Sequence, residues 1–195
     1  FKAAVTASAD NFEDEKEIKF KDDCILTIKK KTADIKISKG YTGYWSAFEN
    51  HPESGTFINH YMVTVETTNG TKDPVTLTDT LNTNQSGISA GDYLKGGQYL
   101  VNTFKLCKVD ASGKETEIPF PEYKLGTDSN GNPQVVLDPL PALEIEEKYI
   151  WYYDVQRNYA DFDKMPNGVG MIFNTATAKA GDREEKKAEA YYTCK

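Results

Sequence analysis

The sequence has 195 residues, of which 38% are hydrophobic and 27% charged, so it can form one large domain with a buried core, and the composition argues against a wholly disordered chain. The formal net charge of −7 argues against a nucleic-acid partner, and the apolar runs are too short for a membrane-spanning helix, so we expect no membrane contact in this segment. Two histidines and three cysteines are too few for a zinc ribbon or a dense disulfide framework, and we expect neither a metal nor a cofactor.

Alternation of apolar and polar residues, interrupted by turn signals, predicts an all-β chain. The turn signals are Asn69-Gly70, Asp110 to Gly113 and Asn130-Gly131. The short segment 160–165 could form a turn of helix, and 87–97 reads as a loop. The predicted strands cover 34–39, 61–69, 75–81, 104–106, 135–137, 149–155, 171–180 and 188–194. This spacing of strands and turns is typical of a β-sandwich.

The two ends of the chain resemble each other. Each reads as a strand, a charged turn and a second strand that ends near a cysteine, Cys24 in one case and Cys194 in the other. We interpret residues 1–32 as the closing hairpin of a preceding repeat or as an N-terminal extension, and residues 33–195 as the sandwich domain. Two unrelated surface hairpins would give the same pattern. Three cysteines cannot all pair within one chain, so the sequence leaves their redox state open.

Three polar residues occupy strand positions that should face the core. Lys39, Asp79 and Asn174 each lie at two-residue steps from apolar neighbours, and successive side chains of a strand point to opposite faces. A buried charge without a partner is costly, so three such residues suggest a shared purpose. The neighbours of equal parity are Ile35 and Ile37, Leu77 and Leu81, and Ile172 and Ala176.

These three residue types can react with one another. Burial lowers the pKa of a lysine and raises that of an aspartic acid, which gives a neutral amine and a protonated acid. The amine of Lys39 could then attack the amide of Asn174, with Asp79 as the assisting acid, to release ammonia and leave an isopeptide bond. Simpler interpretations remain open: Lys36 replaces Lys39 if the strand slips by one residue, Asp79 caps a turn, or Asn174 satisfies a backbone group.

Several segments together carry a resemblance to a known family, namely Ile35–Lys39, Tyr61–Gly70, Val75–Leu81, Leu140–Leu143 before Tyr149, and Phe173–Ala178. Over residues 33–195 the chain resembles the immunoglobulin-like, isopeptide-forming domains of Gram-positive surface adhesins and fimbrial (pilus) proteins. The resemblance implies an immunoglobulin-like/prealbumin-like β-sandwich, with Lys39 joined to Asn174 and Asp79 assisting. It further implies a secreted stalk or spacer domain at the cell wall, with neighbouring domains of the same chain as partners and no enzymatic turnover.

A second hypothesis is an extracellular adhesin module that binds a glycan or a host protein. The segment from Tyr41 to Phe57 is longer than the family pattern leads us to expect, and it contains Trp45 as a candidate ligand-binding residue. The aromatic run at 151–153 could add to a sugar platform, although strand aromatics usually pack in a core. Asp128 to Asn132 loosely resembles a calcium loop, but a hairpin turn accounts for it equally well.

Overall fold

The chain divides into two compact units, Phe1–Ala33 and Asp34–Lys195. In the first unit, strand β1 (Glu15–Lys19) pairs antiparallel with strand β2 (Ile25–Lys29). That this hairpin closes a preceding repeat stays a prediction. The structure, a computed structural model, describes residues 15–19, 25–29, 32–41, 48–83, 87, 94–164 and 170–194.

The described part of the second unit consists of strands and two short 3-10 segments, Pro52–Ser54 and Tyr159–Lys164. Neither 3-10 segment has the length or the apolarity that crossing a bilayer demands. The strands are, in chain order, β3 (Lys36–Tyr41), β4 (Phe48–His51), β5 (Thr56–Glu66), β6 (Val75–Leu81), β7 (Gln98–Val109), β8 (Glu115–Ile118), β9 (Tyr123–Thr127), β10 (Pro133–Leu137), β11 (Lys148–Asn158), β12 (Gly170–Ala180) and β13 (Lys186–Cys194).

These strands form two antiparallel sheets. The six-stranded sheet has the order β3-β5-β11-β7-β8, and β4 pairs with β5 beyond the end of β3. The five-stranded sheet has the order β13-β12-β6-β10-β9. β3 therefore forms an edge of its own sheet, and it lies next to β12 and β13 of the other sheet. This arrangement brings the first strand of the unit close to its last two strands.

The long strands β5 and β11 form the centre of the six-stranded sheet because both alternate without interruption. Every second residue of each strand is buried, and the two strands pair over their whole length, with Val63 opposite Trp151 and Tyr61 opposite Tyr153. This two-residue period is the one that the sequence predicted for a half-buried strand. The inward aromatic side chains of these strands consequently line the interior.

The buried residues of both sheets belong to one continuous core. Val63 and Trp151 come from the six-stranded sheet, whereas Leu77, Val135 and Ala176 come from the five-stranded sheet, and all five are 0% exposed. Two antiparallel sheets that share such a core form a sandwich. The predicted all-β sandwich is confirmed, and its assignment to the immunoglobulin-like/prealbumin-like type stays a prediction.

The turn after β5 fixes the position at which β3 begins. Gly70 has φ of 83°, in the left-handed region that favours glycine, as the predicted Asn69-Gly70 turn requires. The carboxylate of Asp34 accepts hydrogen bonds from the backbone N–H groups of Asn69, at 2.7 Å, and Thr68, at 3.1 Å. Partial burial opposes ionisation of Asp34, yet these hydrogen bonds lower its pKa overall. The turn therefore holds the segment that leads into β3.

Candidate functional site

The fold places Lys39, Asp79 and Asn174 in the interior of the sandwich. Lys39 lies on β3, Asp79 lies on the middle strand β6 of the other sheet, and Asn174 lies on the adjacent strand β12. The side chains of Lys39 and Asp79 are 0% exposed, and Asn174 is 0% exposed as well. Three residues that are distant in sequence therefore share one dry region.

The register of β3 decides which lysine points inward. Ile35 is buried, Ile37 packs partly buried against the core, and the side chain of Lys39 follows at the same parity. Lys36 is exposed and pairs across the strands with Glu66. The alternative that assigned the reactive amine to Lys36 is therefore wrong, because the strand does not slip by one residue.

The amine of Lys39 is held by one carboxylate and by aromatic groups. Its Nζ atom forms an ion pair with Asp79 Oδ2 and donates a hydrogen bond to the Tyr153 hydroxyl. It also lies 5.0 Å from the ring centre of Tyr61 and 4.9 Å from that of Tyr153. Aromatic faces attract a cation, so the pocket can hold the charged amine before any reaction.

A second tyrosine holds the other oxygen of the acid. The Tyr99 hydroxyl donates a buried hydrogen bond of 2.7 Å to Asp79 Oδ1. Each oxygen of Asp79 thus has a donor, Lys39 on one side and Tyr99 on the other. These two contacts fix the orientation of the carboxylate.

The side-chain amide of Asn174 contacts the same Tyr153 hydroxyl as the Lys39 amine does. Its Nδ2 atom donates a hydrogen bond of 3.0 Å to the Tyr153 hydroxyl. Its Oδ1 atom is buried and has no hydrogen-bond partner within the part of the chain that the structure describes. The carbonyl oxygen of this amide is therefore an open acceptor in a dry site.

Burial controls the protonation of the groups in this site. Desolvation lowers the pKa of Lys39, while the charge of Asp79 and its hydrogen bond act in the opposite direction. Burial also raises the pKa of Tyr153 well above its usual range, and the nearby charge of Asp79 adds to this effect. Burial thus makes the Lys39 amine easier to deprotonate and keeps the Tyr153 phenol protonated, and a neutral amine is the form that attacks an amide.

A second group of buried polar residues, which was not predicted from the sequence, surrounds Arg157. Arg157 is 2% exposed, and its Nη1 atom donates hydrogen bonds to Asn82 Oδ1, at 3.1 Å, and to the backbone oxygen of Gly96, at 3.0 Å. The alternation of β11 could have identified Arg157, because it continues the inward parity of Tyr153 and Val155.

The other predicted binding residues form no site where the structure describes them. Trp45 lies outside the described residues. Trp151 and Tyr153 are 0% and 1% exposed, so the aromatic run on β11 belongs to the core and is not a surface platform for sugars. Asp128 accepts hydrogen bonds from the backbone N–H groups of Asn130 and Asn132, which is a turn. Among the described residues, no group of three or more His, Cys, Asp or Glu side chains could hold a metal ion.

The roles of Tyr99 and Tyr153 in the site were not predicted from the sequence either. The sequence identified Tyr153 only within the aromatic run at 151–153, as a core residue or as part of a sugar platform, and it did not single out Tyr99. Their parity could have placed them inward, as it did for Lys39. The contact of each hydroxyl with a particular polar atom depends on strand pairing between distant segments, and no local pattern carries that information.

Comparison with known proteins finds only weak similarity, at low sequence identity. No protein-family model and no curated protein sequence matches this chain. The collagen-binding subdomain of the surface protein ACE of Enterococcus faecalis matches with a TM-score of 0.41 and 7% identity, over 82% of this chain and 94% of that one. The full-length major pilin SpaD of Corynebacterium diphtheriae matches with a TM-score of 0.47 and 12% sequence identity, over 82% of this chain and 35% of SpaD. A CBM3a-L domain from the scaffoldin CipA of Clostridium thermocellum matches with a TM-score of 0.39 and 11% sequence identity, over 75% of this chain and 85% of that domain.

Proposed function

We propose that this chain is a structural domain of a bacterial cell-surface protein and that it cross-links itself through an isopeptide bond between Lys39 and Asn174. The observation that carries the proposal is the contact of both reacting nitrogen atoms, Lys39 Nζ and Asn174 Nδ2, with one buried oxygen, the Tyr153 hydroxyl. The amine and the amide are consequently separated by no more than two hydrogen bonds. Asp79, which is paired with the amine, supplies the assisting acid.

The first step of the proposed reaction is a proton transfer within the buried ion pair. Moving one proton from the Lys39 ammonium to the Asp79 carboxylate replaces two buried charges by two neutral groups, which a dry interior favours. The lowered pKa of Lys39 agrees with this direction. The neutral amine is then a nucleophile, and the protonated acid is a hydrogen-bond donor.

The second step is attack of the amine on the amide carbon. Negative charge develops on Asn174 Oδ1, which is the open acceptor of the site, and a donor directed at that oxygen would stabilise it. Protonated Asp79 is the candidate donor. The Nζ–Cγ bond forms, the Cγ–Nδ2 bond breaks, and ammonia leaves with its own two hydrogens and one proton from the amine. The balance needs no oxidant, metal or cofactor, and each molecule reacts once, so the domain is not an enzyme with turnover.

The position of the bond suits a domain that is pulled from its ends. β3 is the first strand of the second unit and β12 is the last but one. A covalent tie between residues 39 and 174 would route tension past the segment that lies between them. The sandwich could then not open by peeling its first strand away. This mechanical role fits a stalk or spacer domain whose partners are neighbouring domains of the same chain.

The proposed location is the cell surface. It is supported by the resemblance of residues 33–195 to self-cross-linking adhesin and fimbrial domains, at the same positions that meet in the site. A covalent bond that reinforces a fold without a cofactor also suits an extracellular environment. Binding of a glycan or a host protein through the segment around Trp45 stays a prediction from the sequence alone.

Intact mass spectrometry tests the proposed function. The wild-type chain should have a mass about 17 Da below the value calculated from its sequence, because one ammonia is lost. Lys39→Ala should have the full calculated mass, whereas the matched control Lys36→Ala, an exposed lysine on the same strand, should lose ammonia as the wild type does. Peptide mapping should recover a branched peptide that joins residues 39 and 174. A wild-type chain of full calculated mass would exclude the cross-link.

A further inference from the structure

The proposed cross-linking reaction includes a proton transfer to the leaving nitrogen. The amine loses a proton as the Nζ–Cγ bond forms, and the amide nitrogen gains one before it departs as ammonia. On the basis of the proposed function, we infer that the Tyr153 hydroxyl is the catalytic group that carries this proton from Lys39 Nζ to Asn174 Nδ2.

The geometry around the Tyr153 hydroxyl supports this role. The hydroxyl oxygen accepts a hydrogen bond from Lys39 Nζ and a second one, of 3.0 Å, from Asn174 Nδ2. It therefore touches the atom that must lose a proton and the atom that must gain one. A group in hydrogen-bond contact with both partners can transfer a proton without any rearrangement of the backbone.

Asp79 is less well placed for the transfer to the leaving nitrogen. Its Oδ2 atom pairs with Lys39, and its Oδ1 atom accepts the hydrogen bond from Tyr99. Among the described residues it makes no direct hydrogen bond to Asn174, whose Nδ2 atom donates to Tyr153. Asp79 thus serves the amine, while Tyr153 connects the amine to the amide.

The hydroxyl of Tyr153 has a proton to give. Burial and the nearby charge of Asp79 raise the pKa of Tyr153, so the phenol is protonated at neutral pH. As the amide nitrogen becomes basic, the hydroxyl donates its proton to Nδ2 and takes one from Nζ. Tyr153 ends as it began, as a phenol, and the protons of the reaction balance.

The surrounding side chains hold the ring of Tyr153 in place. Tyr153 is 1% exposed, its ring stacks on Tyr61 at 5.5 Å between centroids, and Trp151 contacts it from the same strand at 4.6 Å. These contacts involve the ring and not the hydroxyl. Tyr153→Phe therefore keeps the packing and removes only the atom that we assign to proton transfer.

The test compares the rate of ammonia loss in Tyr153→Phe and in a matched control. Each chain is made by cell-free synthesis, portions are quenched in denaturing acid at successive times, and the intact mass is measured. The control is Tyr149→Phe, a buried tyrosine of the same strand whose hydroxyl donates to the backbone oxygen of Pro141, at 3.1 Å. General acid–base catalysis contributes about 100-fold or more, so Tyr153→Phe should cross-link at least about 100-fold more slowly than Tyr149→Phe.

The outcomes separate this inference from the proposed function. If Tyr153→Phe loses ammonia as fast as Tyr149→Phe, the role of Tyr153 is overturned and the cross-link stands. If the wild type itself keeps its full mass, both are overturned. Circular dichroism checks that Tyr153→Phe is folded. If it is not, a chain with 3-fluorotyrosine at position 153 keeps the hydroxyl and changes its acidity. Its cross-linking rate should then differ from that of the wild type, and an unchanged rate would overturn the assignment.

Discussion

Replacing Asn174 with alanine is the cleanest way to measure what the proposed cross-link contributes to stability. Lys39→Ala is a poorer choice, because it leaves the buried Asp79 carboxylate without its counter-ion, at a cost of about 3–5 kcal/mol. Asn174→Ala retains the ion pair between Lys39 and Asp79 and gives up the hydrogen bond of 3.0 Å to the Tyr153 hydroxyl. That hydrogen bond contributes about 1 kcal/mol. A larger loss of stability therefore measures the covalent tie.

The expected size of that loss follows from the loop that the bond closes. Positions 39 and 174 lie 135 residues apart along the chain. On the chain-entropy model, a cross-link that closes a loop of this length stabilises the folded state by about 5 kcal/mol, because it restricts the unfolded chain. For a domain of this size, 5 kcal/mol corresponds to a melting temperature lower by about 10–20 °C in Asn174→Ala.

Thermal and guanidinium unfolding, followed by circular dichroism, should be compared in the wild type, Asn174→Ala, Lys39→Ala and the double variant, with Lys36→Ala as the exposed control. Either single substitution removes the whole bond. The loss of unfolding free energy in the double variant should therefore be about 5 kcal/mol smaller than the sum of the losses in Lys39→Ala and Asn174→Ala. Additive costs would refute the reasoning. A melting temperature of Asn174→Ala within a few degrees of a wild type that has lost ammonia would refute it as well.

Two further predictions concern titration. Cys107 should resist thiol reagents at pH 8 in the folded protein and react after denaturation, because burial, with Glu115 as a second cause, raises its pKa to about 11; rapid labelling of the native chain would contradict this. In Asn174→Ala, the amine of Lys39 stays free, and its folded-state pKa is lowered from the ordinary value of 10.5 by burial. Between the lowered pKa and the ordinary value of 10.5, the unfolded chain binds more protons than the folded chain. The stability of Asn174→Ala, measured by denaturant unfolding at increasing pH up to the ordinary pKa, should therefore rise relative to that of the cross-linked wild type. Parallel curves would show that Lys39 does not titrate in this range.

The inward positions of the site could be predicted from the sequence because a strand has a strict two-residue period. Lys39 follows Ile35 and Ile37 at the same parity, and the apolar residues had to face the core. The same argument holds for Asp79 on β6 and for Asn174 on β12. Burial of the apolar neighbours fixes the strand register, and that register also turns the polar side chains of the same parity toward the core.

Strands β4, β8 and β9 and the tyrosine contacts could not be predicted, because they depend on pairing with segments that are distant in sequence. Strands β8 and β9 are mostly exposed and show no alternation, and they exist because a neighbouring strand supplies their backbone partners. β4 lies in the segment that looked like an insert, and it forms on the free edge of β5 beyond β3. The hydroxyl contacts of Tyr99 and Tyr153 likewise depend on which strands meet across the sandwich.

Because the site depends on pairing between distant strands, the chain must fold before the proposed reaction can occur. Lys39, Asp79 and Asn174 meet only when β3 has docked beside β12 in its native register, and a slip of one residue would turn Lys39 toward solvent. The unreacted sandwich must therefore fold with a buried ion pair, which is a poor source of stability. The proposed reaction removes that pair by proton transfer and then adds the covalent tie. Only correctly folded chains would gain the added stability, so the bond would lock the native register rather than direct the chain to it.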